Sequence, residues 1–152
     1  MVAQDKETLI DMKSYTHIKY KKGYKYQLAT DYKVFIPIKP LDTFFAAGGL
    51  ISLNKEGLLI IRKGYAWDGP SGPAADTKNF MRPSLIHDAL YESMRDGLLH
   101  RSRRREVDML LRENCREDGM SKIRSSWVYW AVNNWAARSS TPEGGRKVLT
   151  AP

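Results

Sequence analysis

The chain has 152 residues, 42% hydrophobic and 28% charged, with a net charge of +8 at neutral pH and a sequence pI near 9.6. That is the size of one ordinary domain and the composition of a soluble globular protein. No apolar run approaches the roughly 18 to 20 residues that a membrane-spanning helix needs, and the single cysteine, Cys115, excludes an intrachain disulfide and a multi-cysteine zinc site.

Met1-Val-Ala-Gln-Asp-Lys-Glu7 lacks an apolar stretch with a small-residue cleavage site, so no secretory signal is expected and the protein is placed in the cytoplasm where it is made, or in a particle that packages it. The positive charge favours an anionic contact: nucleic acid, a phospholipid surface or an acidic protein. None of the recognised nucleic-acid modules is found, so sequence-specific binding of nucleic acid is not expected.

The first half is rich in tyrosine, valine and isoleucine. His17 to Tyr20, Tyr24 to Ala29 and Tyr32 to Ile38 read as short strands, and Leu50 to Leu53 with Leu58 to Arg62 as a hairpin around Asn54-Lys-Glu-Gly57. After Gly64, the run Asp68-Gly-Pro-Ser-Gly-Pro73 is too densely punctuated for helix or strand and reads as a loop of fixed shape. From Pro83, a first-turn proline, the period becomes helical: Leu85, Ile86, Ala89, Leu90 and Met94 form an apolar side and Gly97 is the stop. A second helix is expected from Ser102 as N-cap to Asp118, with Val107, Leu110, Leu111 and Cys115 inward and Gly119 at its end. Ser121 caps a third, running to about Arg138. The spacing therefore predicts an α+β fold, a small N-terminal antiparallel sheet followed by a Gly/Pro-rich loop and three helices, in a single domain over 1–138 with an extended tail over 139–152.

Two surface features stand out. The basic run Arg101, Arg103, Arg104 and Arg105 is either a solvated helix entrance or an anion-contacting patch. The third helix carries Trp127, Trp130 and Trp135 among other apolar residues on more than one face; core packing explains one side, and the rest suits a subunit, a partner protein or a bilayer interface.

The candidate chemistry lies between Gly64 and Tyr91 and on the helix after it. Residues four apart on a helix share a face, so His87 and Tyr91 project together and Asp88 points aside. A histidine on an inner face is, taken alone, more often a hydrogen-bonded core residue than a catalyst. Asp108, however, sits on the same side as Leu111 and Cys115, and a buried carboxylate is costly unless paired. It is expected to accept a proton from His87 or Tyr91, fixing the imidazole tautomer for general-base work. Asp88 with carbonyls of the glycine-rich loop is a plausible calcium shell. A transition metal on His87 and Asp88 is the weaker alternative, and no organic cofactor is indicated.

Gly69-Pro-Ser-Gly-Pro73, His87-Asp-Ala-Leu-Tyr91 and Val107-Asp108 resemble the calcium loop, the His-Asp-x-x-Tyr helix and the partner aspartate of the phospholipase A-two superfamily, most of all the cysteine-free type carried by parvovirus capsid proteins. The resemblance implies His87 as general base, Asp88 with the Tyr65 to Gly72 backbone, Gly69 and Gly72 included, as calcium ligands, and Tyr91 and Asp108 as braces; outside that pattern, Asp68 or Asp76 either supplies a ligand in a different metal site or caps a turn. The chain departs from that pattern at Phe80-Met-Arg-Pro83, where another aspartate is usual, and in its loop glycine spacing. Gly64-Tyr-Ala-Trp-Asp-Gly-Pro-Ser-Gly-Pro73 with Pro83-Ser-Leu-Ile-His-Asp-Ala-Leu-Tyr91 is also similar to an uncharacterised family of tailed phages and prophages, over roughly residues 20 to 135. Together the two resemblances imply a protein made in a host cytoplasm, acting either as a phospholipid or other ester hydrolase at an anionic membrane, or as a tail or baseplate component held by phage structural proteins, in which the His/Asp/Tyr cluster is structural.

Overall fold

The computed structural model describes residues 20–21, 26–69 and 77–142. Among the described residues seven strands precede three helices: β1 (Tyr20–Lys21), β2 (Tyr26–Leu28), β3 (Tyr32–Phe35), β4 (Phe44–Ala46), β5 (Ile51–Leu53), β6 (Leu58–Ile61), β7 (Ala66–Trp67), α1 (Lys78–Arg95), α2 (Arg104–Glu117) and α3 (Lys122–Trp135). The α+β architecture is as the sequence predicts. The antiparallel strands divide into two sheets, one ordered β1-β2-β7 and the other β3-β6-β5-β4.

The expected hairpin joins β5 to β6, with Ser52 opposite Ile60 and Leu53 opposite Leu59. The Asn54 side chain sets its turn by accepting the backbone N–H of Glu56 at 3.1 Å and of Leu58 at 2.8 Å, the local bonding for which asparagine is favoured in turns. Gly57 is required there: its φ is +91°, and a Cβ would fall 2.4 Å from the Ile36 carbonyl oxygen. Alternation along β2 to β6 sends Leu28, Val34, Leu53, Leu59 and Ile61 inward. They share one apolar cluster with Leu85, Ile86, Ala89 and Leu90 of α1 and with Val107 and Leu110 of α2. A second cluster, Phe80, Leu111, Cys115, Met120 and Val128, seals α3 against α1 and α2.

Two strands lie where the sequence predicts none. β4 pairs with β5, and β7 pairs with β2 by placing Trp67 opposite Tyr26, so the segment after Gly64 opens as a short strand; residues 70–73 of the expected loop lie outside the described residues. The expected strand over 17–20 lies mostly outside the described residues.

The helix expected from Pro83 begins at Lys78, after Thr77 in extended conformation, and Pro83 lies inside it. The proline ring removes one intrahelical N–H, which the buried packing of its neighbours outweighs. The stops are as expected: Gly97, at φ +74°, donates to the Met94 carbonyl while Leu98 donates to Ser93, and Gly119, at φ +90°, donates to Arg116 while Met120 donates to Cys115, the paired bonds that end a helix on a left-handed glycine. Ser102 is not the cap of α2. A 3-10 turn over Arg101–Arg103 intervenes, and the Ser102 N–H donates to His100 Nδ1 at 3.2 Å. Ser121 does cap α3, accepting the Arg124 N–H. Beyond α3 the expected extended tail starts as a 3-10 turn, Ala137–Ser140, docked by Arg95 on the Ser139 carbonyl at 2.7 Å and by Arg101 on the Ser140 hydroxyl at 3.3 Å.

Candidate active site

α1 and α2 run side by side, and their facing sides bring His87, Tyr91 and Asp108 together. Asp108 is 0% exposed. Its Oδ1 lies 2.9 Å from His87 Nε2 and accepts the Tyr91 hydroxyl at 2.6 Å, while Oδ2 accepts Arg104 Nη1 at 3.3 Å. Three polar partners, one of them a guanidinium, offset the cost of burying this side chain. The His87 and Tyr91 rings lie 4.1 Å apart between centroids, as one helical turn dictates.

His87 is 8% exposed, and its second nitrogen, Nδ1, looks toward the partly exposed Asp88, whose Oδ1 is 3.8 Å away. Burial alone pulls its pKa down. The bond to Asp108 and the charge of Asp88 more than reverse this, so the imidazole titrates above its ordinary 6.5. Burial, reinforced by the Asp108 carboxylate, pushes the Tyr91 hydroxyl far above the usual tyrosine range and keeps it a donor.

β7 holds its end of the Gly64 to Tyr91 segment against the same helix. Trp67 Nε1 donates to the Ser84 hydroxyl at 3.1 Å, Ser84 donates to the Met81 carbonyl, and the Tyr65 hydroxyl donates to Glu92 at 2.8 Å. These pins fall on either side of His87-Asp88. Burial, then the carboxylates of Asp88 and Glu92, holds the Tyr65 hydroxyl well above its ordinary pKa, which places Asp88, Glu92 and Tyr65 in one electrostatic neighbourhood.

The expected calcium ligands are only partly placed. Asp68 is exposed, Gly69 is buried with φ +68°, and Gly72 and Asp76 lie outside the described residues. Among the described residues no group of three or more His, Cys, Asp or Glu side chains is placed to hold a metal ion.

The basic run turns largely onto the fold. Arg101 bonds Ser140, Arg103 bonds the Lys39 carbonyl at 2.8 Å and Glu106, Arg104 bonds Asp108 and the Asn133 carbonyl at 3.1 Å, and Arg105 is exposed. On α3, Trp127 and Trp130 are 40% and 52% exposed while Val128 faces the core; Trp135 ends the helix.

Sequence reasoning passes over Arg82. Buried in the first turns of α1, it donates Nε and Nη2 to Asp118, Nη2 to Glu117 at 3.1 Å and Nη1 to the Tyr32 hydroxyl at 3.3 Å. Its guanidinium is held charged, the bonds to Asp118 and Tyr32 overcoming burial. The available signal is a lone arginine one turn before Leu85 in an otherwise apolar stretch.

A family model described as protein of unknown function (DUF1353) matches residues 51–132, more than half of the chain and all of the His87, Tyr91 and Asp108 cluster. The chain belongs to this family. The DUF1353 match takes in the β5-β6 hairpin, β7, α1, α2 and most of α3. No curated protein and no solved structure matches the chain.

Proposed function

We propose that this DUF1353 protein is an ester hydrolase in which His87 is the general base. The observation that supports this most is the His87 to Asp108 pair: a fully buried carboxylate on Nε2 fixes that nitrogen as the N–H and leaves the Nδ1 lone pair on the side of the partly exposed Asp88. In this reading Nδ1 takes a proton from water as its oxygen attacks the ester carbonyl. Asp108 supports the imidazolium that results, and the proton returns to the departing alkoxide, giving acid and alcohol. Tyr91 and Arg104 act as positioning residues for Asp108.

Phospholipid is the ester that the resemblance to the phospholipase A-two superfamily implies, and a phage or prophage source is what the second resemblance implies. Calcium belongs to that reading through Asp88 and the loop; no step above runs through it. The test is release of fatty acid from phospholipid vesicles, with and without calcium, by wild type and by His87→Ala. Release that His87→Ala abolishes while circular dichroism is unchanged supports the reading; no release with any ester and any divalent ion sinks it.

A second reading has its own observation. His87 is nearly buried with both ring nitrogens near carboxylates, an arrangement that suits a structural ion pair in a tail or baseplate component bound to phage structural proteins. In that case His87→Ala lowers the melting temperature and incorporation into particles, with no turnover to lose.

A further inference from the structure

The outer sides of α2 and α3 carry two rows that the His87 cluster does not use. Along α2, Arg105, Arg112 and Arg116 recur at the spacing of one helix face, with the exposed Met109 between them. Along α3, Ile123, Trp127 and Trp130 do the same, Ile123 being 86% exposed. The two helices are linked beside these rows, where the Arg112 guanidinium lies 6.0 Å over the half-buried Tyr129 ring. Arg116 bonds the Met120 carbonyl at the turn between the helices. From Gly119 to Pro142 the sequence holds no acidic residue.

We propose that this two-helix face docks on an anionic phospholipid bilayer, with Trp127, Trp130 and Ile123 entering the interface and the α2 arginines meeting the headgroups. Indole rings settle at the boundary between headgroups and acyl chains, and arginines lie with their stems on apolar surface and their heads among phosphates. Single-stranded nucleic acid suits the pattern less, because Ile123 and Met109 offer no ring to stack a base. A second copy of a chain of net charge +8 would set one cationic row against another. No helix of the described residues is long and apolar enough to cross a membrane, so the contact is peripheral.

The experiment is co-sedimentation of the full chain with vesicles of phosphatidylglycerol and phosphatidylcholine, beside pure phosphatidylcholine, with tryptophan emission recorded. Wild type is expected to bind the anionic vesicles with a blue shift, and to weaken as salt is raised. Trp127→Ser with Trp130→Ser is expected to lose both binding and shift, and each of Arg105→Gln, Arg112→Gln and Arg116→Gln to lower affinity about fivefold. All substituted positions are at the surface, and circular dichroism checks folding. Equal binding to both vesicle types, no binding, binding unchanged in the tryptophan variant, or a dimer that this variant dissociates would each overturn the proposal. Binding is read without turnover, so its failure is separate from any failure of the His87 chemistry.

Discussion

Tyr91 donates its hydroxyl to the same Asp108 oxygen that holds His87 Nε2, at 2.6 Å against 2.9 Å. One carboxylate oxygen thus positions two side chains a helical turn apart, and removing the Tyr91 hydroxyl loosens the carboxylate that orients His87. Tyr91→Phe is therefore expected to cost about 1.5 to 3 kcal/mol of stability, the range for a hydrogen bond to a charged group, and to lower kcat while leaving KM near wild type. Asp108→Asn should cost more in kcat, about ten-thousandfold, because an amide can present the wrong partner to Nε2. Steady-state kinetics with urea unfolding checks both. A Tyr91→Phe loss confined to KM would remove the positioning role.

The pH dependence follows from the direction of the His87 shift. Folding raises its pKa above 6.5, so the native state binds the proton more tightly than the unfolded chain. The resulting stabilisation is complete below about pH 6.5 and is lost as pH rises through the native pKa. Urea midpoints of wild type and His87→Gln should converge upward of that value, and the acid limb of kcat/KM should lie above 6.5 because only neutral imidazole is a base. A wild-type minus variant difference that stays flat from about pH 5 to 9 contradicts the assigned charge state.

Arg82, near the start of α1, joins β3 to the end of α2, through Tyr32 on one side and Asp118 on the other. Arg82→Met keeps the volume and removes the charge, leaving a partly buried Asp118 unpaired; a loss of about 3 kcal/mol is expected. Arg82→Lys should recover only part of it, since an ammonium cannot make the paired bonds to one carboxylate. Thermal melts of the two variants decide this, and equal losses would reduce Arg82 to a packing residue.

Two glycine exchanges should move stability in opposite directions. Gly57→Ala sets a Cβ against the Ile36 carbonyl in a left-handed conformation and should cost about 2 kcal/mol or more. Ala47, at φ +52°, bears the strain that glycine avoids, so Ala47→Gly should add up to about 1 kcal/mol. Urea midpoints are sufficient to see both signs.

The helical half is readable from the sequence because its signals are local: a 3.6-residue period, glycines at 97 and 119, and a serine at 121. Asp108 faces inward because Val107, Leu111 and Cys115 do, so its meeting with His87 and Tyr91 needs only two adjacent helices. Other features depend on distant chain. The few residues of Phe44–Ala46 and Ala66–Trp67 are strands because β5 and β2 accept them, and too short to show alternation alone. Reading Pro83 as a first-turn residue starts α1 five residues late, and it hides Arg82, whose partners lie 36 and 50 residues away.

Arg104 carries a mechanical consequence. The same Nη1 touches Asp108 Oδ2 and the Asn133 carbonyl on α3, so a single nitrogen registers the buried carboxylate against the helix that bears the exposed tryptophans. A residue of axial slip in α3 is about 1.5 Å, enough to break one of those two bonds. Load applied at Trp127 and Trp130 therefore reaches the interior through this nitrogen as well as through the packing of Val128, and the spacing between the molecule's outer face and its histidine is gauged in part by the length of an arginine.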